Sequence, residues 1–178
     1  GTPVREPVYE PPARGHDLEL SSTSPRVAFH LLRARALSTL SLHALAVGEI
    51  SAIEAIAGAD GAMRVHLARE YFNNQAYRRS LTLANQIPAS DRERDLYRFP
   101  LAHWQAIRRI AQDRGLDPYL VLALIRQESL FEPRARSPAF AVGLMQLLPS
   151  TPARVAGPHG MRAPGNERLF EPEVNLNL

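Results

Sequence analysis

The sequence predicts a mainly α protein: a region of helical pairs, followed by a second α-rich unit. Three observations carry this reading. From Arg26 onward, apolar residues recur at three- and four-residue spacing, the period of amphipathic helices. Helix stop and start signals, Gly58, Gly115 and the Asp117-Pro118 pair, stand where those periodic runs end or begin. A charged stretch, "ASDRERDLYRFP", separates the two regions and ends at Pro100. With 45% hydrophobic residues among 178, the chain can bury a sizeable core.

Residues 1–25, rich in Pro and polar residues and without a sustained period, read as an extended arm or linker. Residues 26–99 read as a helical linker domain. Here "RVAFHLLRARALSTL" and "SLHALAVGEISAIEAIAGA" form one helical pair, the second helix stopping at Gly58. "GAMRVHLAREYFNNQ" and "AYRRSLTLANQIP" form another, joined near Asn73, Asn74 and Gln75 and closed by Pro88. Helical pairs in series suggest a small solenoid. The second unit spans residues 100–178. Its first helix carries the stripe Trp104, Ile107, Ile110 and Ala111, with Gly115 just past its end and Leu116 closing it. Asp117 caps the next helix, and Pro118 fits the first turn, where a missing N–H costs nothing. Residues 138–148 are expected to supply at most a few short extended pieces, and Ser150 or Thr151 to cap a short helix ending near Ala156.

The net charge of +3 and a pI near 9.8 suit an acidic polymer, nucleic acid or anionic glycan. All 21 basic residues are Arg, and those at Arg78, Arg79, Arg108 and Arg109 are spread over several helices, the pattern of solvated faces; no nucleic-acid partner is expected. With no Cys, disulfides, zinc ribbons and Cys nucleophiles are excluded. No apolar run reaches the roughly 18 residues needed to span a bilayer, and the N-terminus lacks signal-peptide order, so the chain as given reads as soluble. The six His residues have no metal-ligand spacing and no His-Glu-x-x-His occurs, so neither metal nor cofactor is expected.

The chemistry concentrates in "LIRQESLFEPRARSPAFAVGLMQLLPST", residues 124–151. Six apolar residues, Leu120 to Ile125, predict a helix buried on most sides. Glu128 lies three, four and seven positions beyond Ile125, Leu124 and Val121, so it is expected to continue the buried stripe. A desolvated carboxyl there would have a raised pKa and could act as general acid. The alternative is a frayed helix end, or a pair with Arg126 or Arg134. Pro133, Pro138 and Gly143 then turn the chain back, bringing Ser137, Met145 and Gln146 toward the helix end. A hydroxyl, a soft apolar contact and an amide suit an N-acetylated sugar. Glu132 is the only nearby second carboxylate; four positions on, and before Pro133, it is poorly placed to work across a sugar ring from Glu128.

"RQES" followed by "SPAFAVGLMQLLPST" resembles the catalytic domain of the soluble lytic transglycosylases, relatives of goose-type lysozyme that cleave bacterial peptidoglycan. The resemblance covers residues 100–178, with the preceding helices similar to the superhelical linker region of larger members. It implies a lysozyme-like catalytic domain in which Glu128 is the single catalytic acid, Ser137 orients acid or substrate, and Gly143, Met145 and Gln146 belong to the substrate groove. "LFEPEVNLNL" resembles the family's Leu-x-Asp-Pro-x-x-Asn-Ile turn. Phe140 departs from the usual Gly, either filling part of the groove or repacking the loop outward, and Glu132 stands where a small polar residue is common. The chain also stops at Leu178, before the family's Ala-Tyr-Asn-Ala-Gly stretch, whose Tyr faces the acid; the resemblance then implies that this chain is a poor enzyme without it.

The implied reaction is non-hydrolytic cleavage of the MurNAc–GlcNAc bond, giving 1,6-anhydro-MurNAc products. The implied substrate is the glycan strand of peptidoglycan, in the periplasm or cell envelope, with room for peripheral membrane or cell-wall protein partners. A lysozyme-like hydrolase and an inactive peptidoglycan-binding or helical scaffold fragment remain as alternatives.

Overall fold

The computed structural model describes residues 24–58, 60–88, 93–156 and 162–178. The expected arm lies outside the described residues, apart from Ser24 and Pro25, which begin the first helix.

Helix α1 (Pro25–Thr39) starts where Ser24 accepts a hydrogen bond from Val27 N, with Pro25 in the first turn, and it buries Val27, Leu31 and Ala34 at helical spacing. It packs on α2 (His43–Ala57), which buries Ala46, Ile50 and Ile53 and ends at Gly58, φ +68°. Asp60 caps α3 (Gly61–Asn73) through Met63 N at 2.9 Å, and α3 packs on α4 (Tyr77–Ala84). The expected joint near Asn74 is present. Gln75 takes a left-handed φ of 61°, while the buried Asn74 side chain donates to Glu70 O at 2.9 Å and accepts from Ser38 Oγ at 2.7 Å. One amide thus ties this joint to α1.

The charged stretch leads into α5 (Arg94–Arg98), which is held to α3 by polar groups. The Arg69 guanidinium donates to both Glu93 oxygens, at 2.8 and 2.7 Å, and its Nε donates to the Tyr97 hydroxyl at 3.2 Å. The Tyr97 hydroxyl in turn donates to Glu93 at 2.7 Å. Burial, then the Glu93 carboxylate, push the Tyr97 hydroxyl's pKa well above that of an ordinary tyrosine.

Helix α6 (Trp104–Asp113) buries Ile107, Ile110 and Ala111 as its sequence stripe predicts. Gly115 follows at φ +65°, and Leu116 N bonds back to Ala111 O at 2.8 Å. Asp117 caps α7 (Pro118–Ser129) by accepting from Tyr119 N at 2.8 Å. Beyond α7 come a looped segment, α8 (Thr151–Ala156), a 3₁₀ segment at Asn166–Phe170 and α9 (Pro172–Leu176). No strand occurs among the described residues. The extended pieces expected near 138–148 are two isolated bridges, Arg136 with Val142 and Val142 with Leu147.

Two apolar cores result. One gathers α1 to α3, the end of α4, Ile87 and Tyr97; the other gathers α6, α7, Phe131, Leu144 and Leu176. Helix α4 serves both. Leu83 and Ala84 enter the first core, while Leu81 and Tyr77 enter the second, where the Tyr77 and Phe131 rings meet edge-on at 6.4 Å. The helical pairs are therefore packed directly against the unit that carries Glu128.

Candidate active site

Glu128 sits in the last turn of α7. The helix stops one residue later because Leu130 and Phe131 both take left-handed backbone, at φ 52° and 62°, and Pro133 follows. Phe131, only 2% exposed, anchors this reversal in the second core. The geometry corrects one expectation. The buried face of α7 is Pro118, Leu122, Ile125 and Ser129, whereas Leu120 and Leu124 are 64% and 44% exposed and Glu128 is exposed with them. A six-residue apolar run reaches all sides of a helix, but neighbouring elements cover only one side here. Glu128 therefore lies off the buried stripe of α7 among the described residues.

Neither suggested Arg pairs with it. Arg126 turns toward α5, its Nε donating to Arg98 O at 3.0 Å and its guanidinium lying 5.1 Å from the centre of the Phe99 ring. Among the described residues no ion pair or hydrogen bond engages the Glu128 carboxylate or the Arg134 guanidinium. Glu132 turns to a different surface, as its position before Pro133 suggests; its Oε1 accepts from Arg134 N at 3.1 Å.

The returning loop is a hydrogen-bonded frame. Ser137 N donates to Ala141 O at 2.9 Å and Ser137 Oγ accepts from Ala141 N at 3.0 Å, closing a turn that has Phe140 at its tip. Phe140 takes φ 63° and is 73% exposed, so its backbone adopts a conformation that Gly reaches without strain and its ring points outward. Gly143 N donates to Ala135 O at 3.0 Å, and Gln146 Nε2 reaches both Gly143 O at 2.9 Å and Ala135 O at 3.4 Å. Ser137, Gly143 and Gln146 are thus brought together around one strip of backbone. Met145 instead packs on the second core and lines a cavity of about 120 Å³ with Val121 and Leu176. Among the described residues, Ser137 makes no hydrogen bond to Glu128.

Sequence reasoning passed over Asn175, the residue that fastens this frame. It is 1% exposed; its Oδ1 accepts from Met145 N at 2.7 Å, and its Nδ2 donates to Val142 O at 3.1 Å and Leu169 O at 2.8 Å. Gly143, at φ +79°, lies flush against it: a Cβ there would collide with the Asn175 amide and the Leu169 carbonyl. The available signal was an Asn set between Val174 and Leu176 in the segment that resembles the family's turn.

Residues 105–178 match the family model for the transglycosylase SLT domain. This segment is similar to SLT transglycosylase domains. The soluble lytic murein transglycosylase of Escherichia coli K12 is 33% identical over 120 residues, which is 65% of this chain and 18% of that protein. The membrane-bound lytic murein transglycosylase C of Haemophilus influenzae is 39% identical over 75 residues, 40% of this chain and 20% of that protein. Among solved structures, an inactive Glu-to-Gln mutant of the lytic transglycosylase from Pseudomonas aeruginosa superposes with a TM-score of 0.66 at 28% identity, covering 89% of this chain and 26% of that one. The 70-kDa soluble lytic transglycosylase of Escherichia coli gives 0.66 at 25% identity over 95% of this chain and 27% of that one. The chain thus spans about a fifth to a quarter of these four proteins, and the superposition extends over the helical pairs as well as residues 105–178. The mainly α architecture is the one these lytic transglycosylases share.

Among the described residues no group of three His, Cys, Asp or Glu side chains could hold a metal ion, and no helix is long and apolar enough to cross a membrane.

Proposed function

We propose that this chain is part of a peptidoglycan lytic transglycosylase in which Glu128 is the one acid–base group. The observation that carries the reading is a carboxylate at the end of α7, unpaired among the described residues, in a segment that matches the SLT domain and followed in the chain by a loop frame held by Ser137, Gly143, Gln146 and Asn175. Related enzymes are lytic murein transglycosylases, one of them inactive when a single Glu becomes Gln.

In the proposed reaction, Glu128 in its acid form gives a proton to the oxygen linking N-acetylmuramic acid to N-acetylglucosamine, and the bond from that oxygen to C1 breaks. The sugar's acetamido group stabilises the cation at C1. The Glu128 carboxylate then takes the proton from the same sugar's 6-hydroxyl, whose oxygen bonds to C1 and closes the 1,6-anhydro ring. Because the nucleophile is tethered, its effective concentration is high and no second protein carboxylate is required. That fits Glu132, which faces a different cleft. Gly143 and Gln146 form the groove wall, Met145 backs that wall from the second core, and Ser137 holds the loop that positions the sugar. The setting is the periplasm or cell envelope, where the substrate lies.

The exposure of Glu128 favours a second reading, in which this stretch binds glycan without turning it over. Incubation with purified peptidoglycan, followed by mass analysis, separates the two. Anhydro products that fall at least ~10²-fold in Glu128→Gln support the first. Products heavier by one water would indicate hydrolysis, and retained glycan without products would indicate the second. Near-normal cleavage by Glu128→Gln would remove Glu128 from its role.

A further inference from the structure

The connection between the two cores carries a pocket that the chemistry above does not use. Phe99, Pro100 and Leu101 follow α5, and with Tyr119, Leu122 and Phe131 they wall a cavity of about 300 Å³, at the lower end of the range for small-ligand sites. Phe99 and Tyr119 are exposed, so the cavity is open to solvent. Its side-chain lining is apolar except for the Tyr119 hydroxyl and one charge, the Arg126 guanidinium, and among the described residues no carboxylate lines it.

Arg126 is held in place by groups that leave its charge unanswered. Its Nε donates to Arg98 O at 3.0 Å, and its guanidinium lies 5.1 Å from the centre of the Phe99 ring. Among the described residues its two terminal nitrogens make no hydrogen bond and it enters no ion pair. Arg98, 5.3 Å from the centre of the same ring, differs: Asp95 lies 3.4 Å from its guanidinium. A guanidinium fixed in this way matches a carboxylate, which two parallel N–H groups can grip at once. Apolar walls beside it weaken solvent screening of such a pair and reward an apolar body on the same ligand. Tyr119, Ala123 and Arg126 share one face of α7, whereas Glu128, two residues after Arg126, lies on another. The pocket is therefore distinct from the acid and its loop frame.

We propose that this pocket binds a small apolar carboxylate, a free aromatic or branched aliphatic acid, with its anionic group on the terminal nitrogens of Arg126 and its body against Phe99, Leu101, Tyr119 and Leu122. One wall is the connection from the helical pairs and the other is α7, so the bound acid ties the helical pairs to the helix that ends beside Glu128.

The test is an NMR titration of this 178-residue chain with phenylpropionate and, as the uncharged control, phenylpropionamide. Wild type should bind the acid at least about tenfold more tightly than the amide, and Arg126→Met should remove that preference. Ala123 lines the same cavity from an exposed position of α7; Ala123→Phe fills the space, keeps the Arg126 charge and should abolish acid binding. No shifts at millimolar acid, equal binding of acid and amide by wild type, or unaltered acid binding by Ala123→Phe overturns the proposal. The comparison of acid with amide on wild type decides the matter even if a variant fails to fold. Binding of a peptide ending in Phe, without binding of the free acid, would overturn it in favour of a polypeptide end.

Discussion

Replacing Asn175 by Asp changes one group of nearly the same shape, and the structure says what it should cost. The Asn175 oxygen accepts from Met145 N, a role Asp retains. The nitrogen donates to Val142 O and Leu169 O at 3.1 and 2.8 Å, and an ionised carboxylate would instead aim an oxygen at both carbonyls. Two net hydrogen bonds of about 1 kcal/mol each are lost, and two buried carbonyls are left with weakened satisfaction, so the total is about 2–4 kcal/mol. For a chain of this length that lowers the melting temperature by about 5–12 °C at pH 7.5. Protonation restores one donor, so the native state favours the protonated acid and the new carboxyl's pKa rises above the unfolded value of ~3.9. A raised carboxyl pKa gives stability that is present at low pH and lost as pH rises through the folded value. The defect, taken against wild type at the same pH, should therefore be smaller at pH 4 than at pH 7.5. Thermal unfolding followed by circular dichroism at both pH values reads this out. An unchanged melting temperature at pH 7.5, or a larger defect at pH 4, would refute the claim that the Asn175 amide fastens the loop frame.

Gly143→Ala should destabilise the second core by about 2–4 kcal/mol, since it adds left-handed strain to a collision with the Asn175 amide; a wild-type urea midpoint would count against that packing. Glu93→Gln weakens a partly buried pair with Arg69 and Tyr97 and should cost about 1–3 kcal/mol, seen as a lower urea midpoint. Burial lowers the His103 pKa below its ordinary value. Because the unfolded His takes up a proton first, stability should decline as pH falls below ~6.5 and level off beneath the lowered native value. His103→Gln should flatten that part of the urea-midpoint profile, and an unaltered slope would show that the side chain is not the source.

Helices were legible because their signals are local. Ser24, Asp60 and Asp117 cap where a side-chain oxygen must meet the free N–H groups of a first turn, and Gly58 and Gly115 take the positive φ that a chain reversal requires. The Glu128-to-Gln146 spacing was legible too, as a resemblance carried by an uninterrupted motif. Which side of α7 is covered was not, because six successive apolar residues contain no direction; only the placement of α6, Phe131 and Leu144 selects Leu122 and Ile125 for burial and leaves Leu124 beside an exposed Glu128. Asn175 was silent for a related reason. Its three partners lie up to 33 residues away, and a buried amide is distinguished from an exposed one only by what surrounds it. The sequence by itself determined the helices, their ends and the identity of the acid-bearing motif, since these follow from contacts within a few residues. Tertiary structure decided burial, the fastening of the loop and the meeting of Phe99 with Arg126 in one pocket, since each depends on distant segments competing for the same surface.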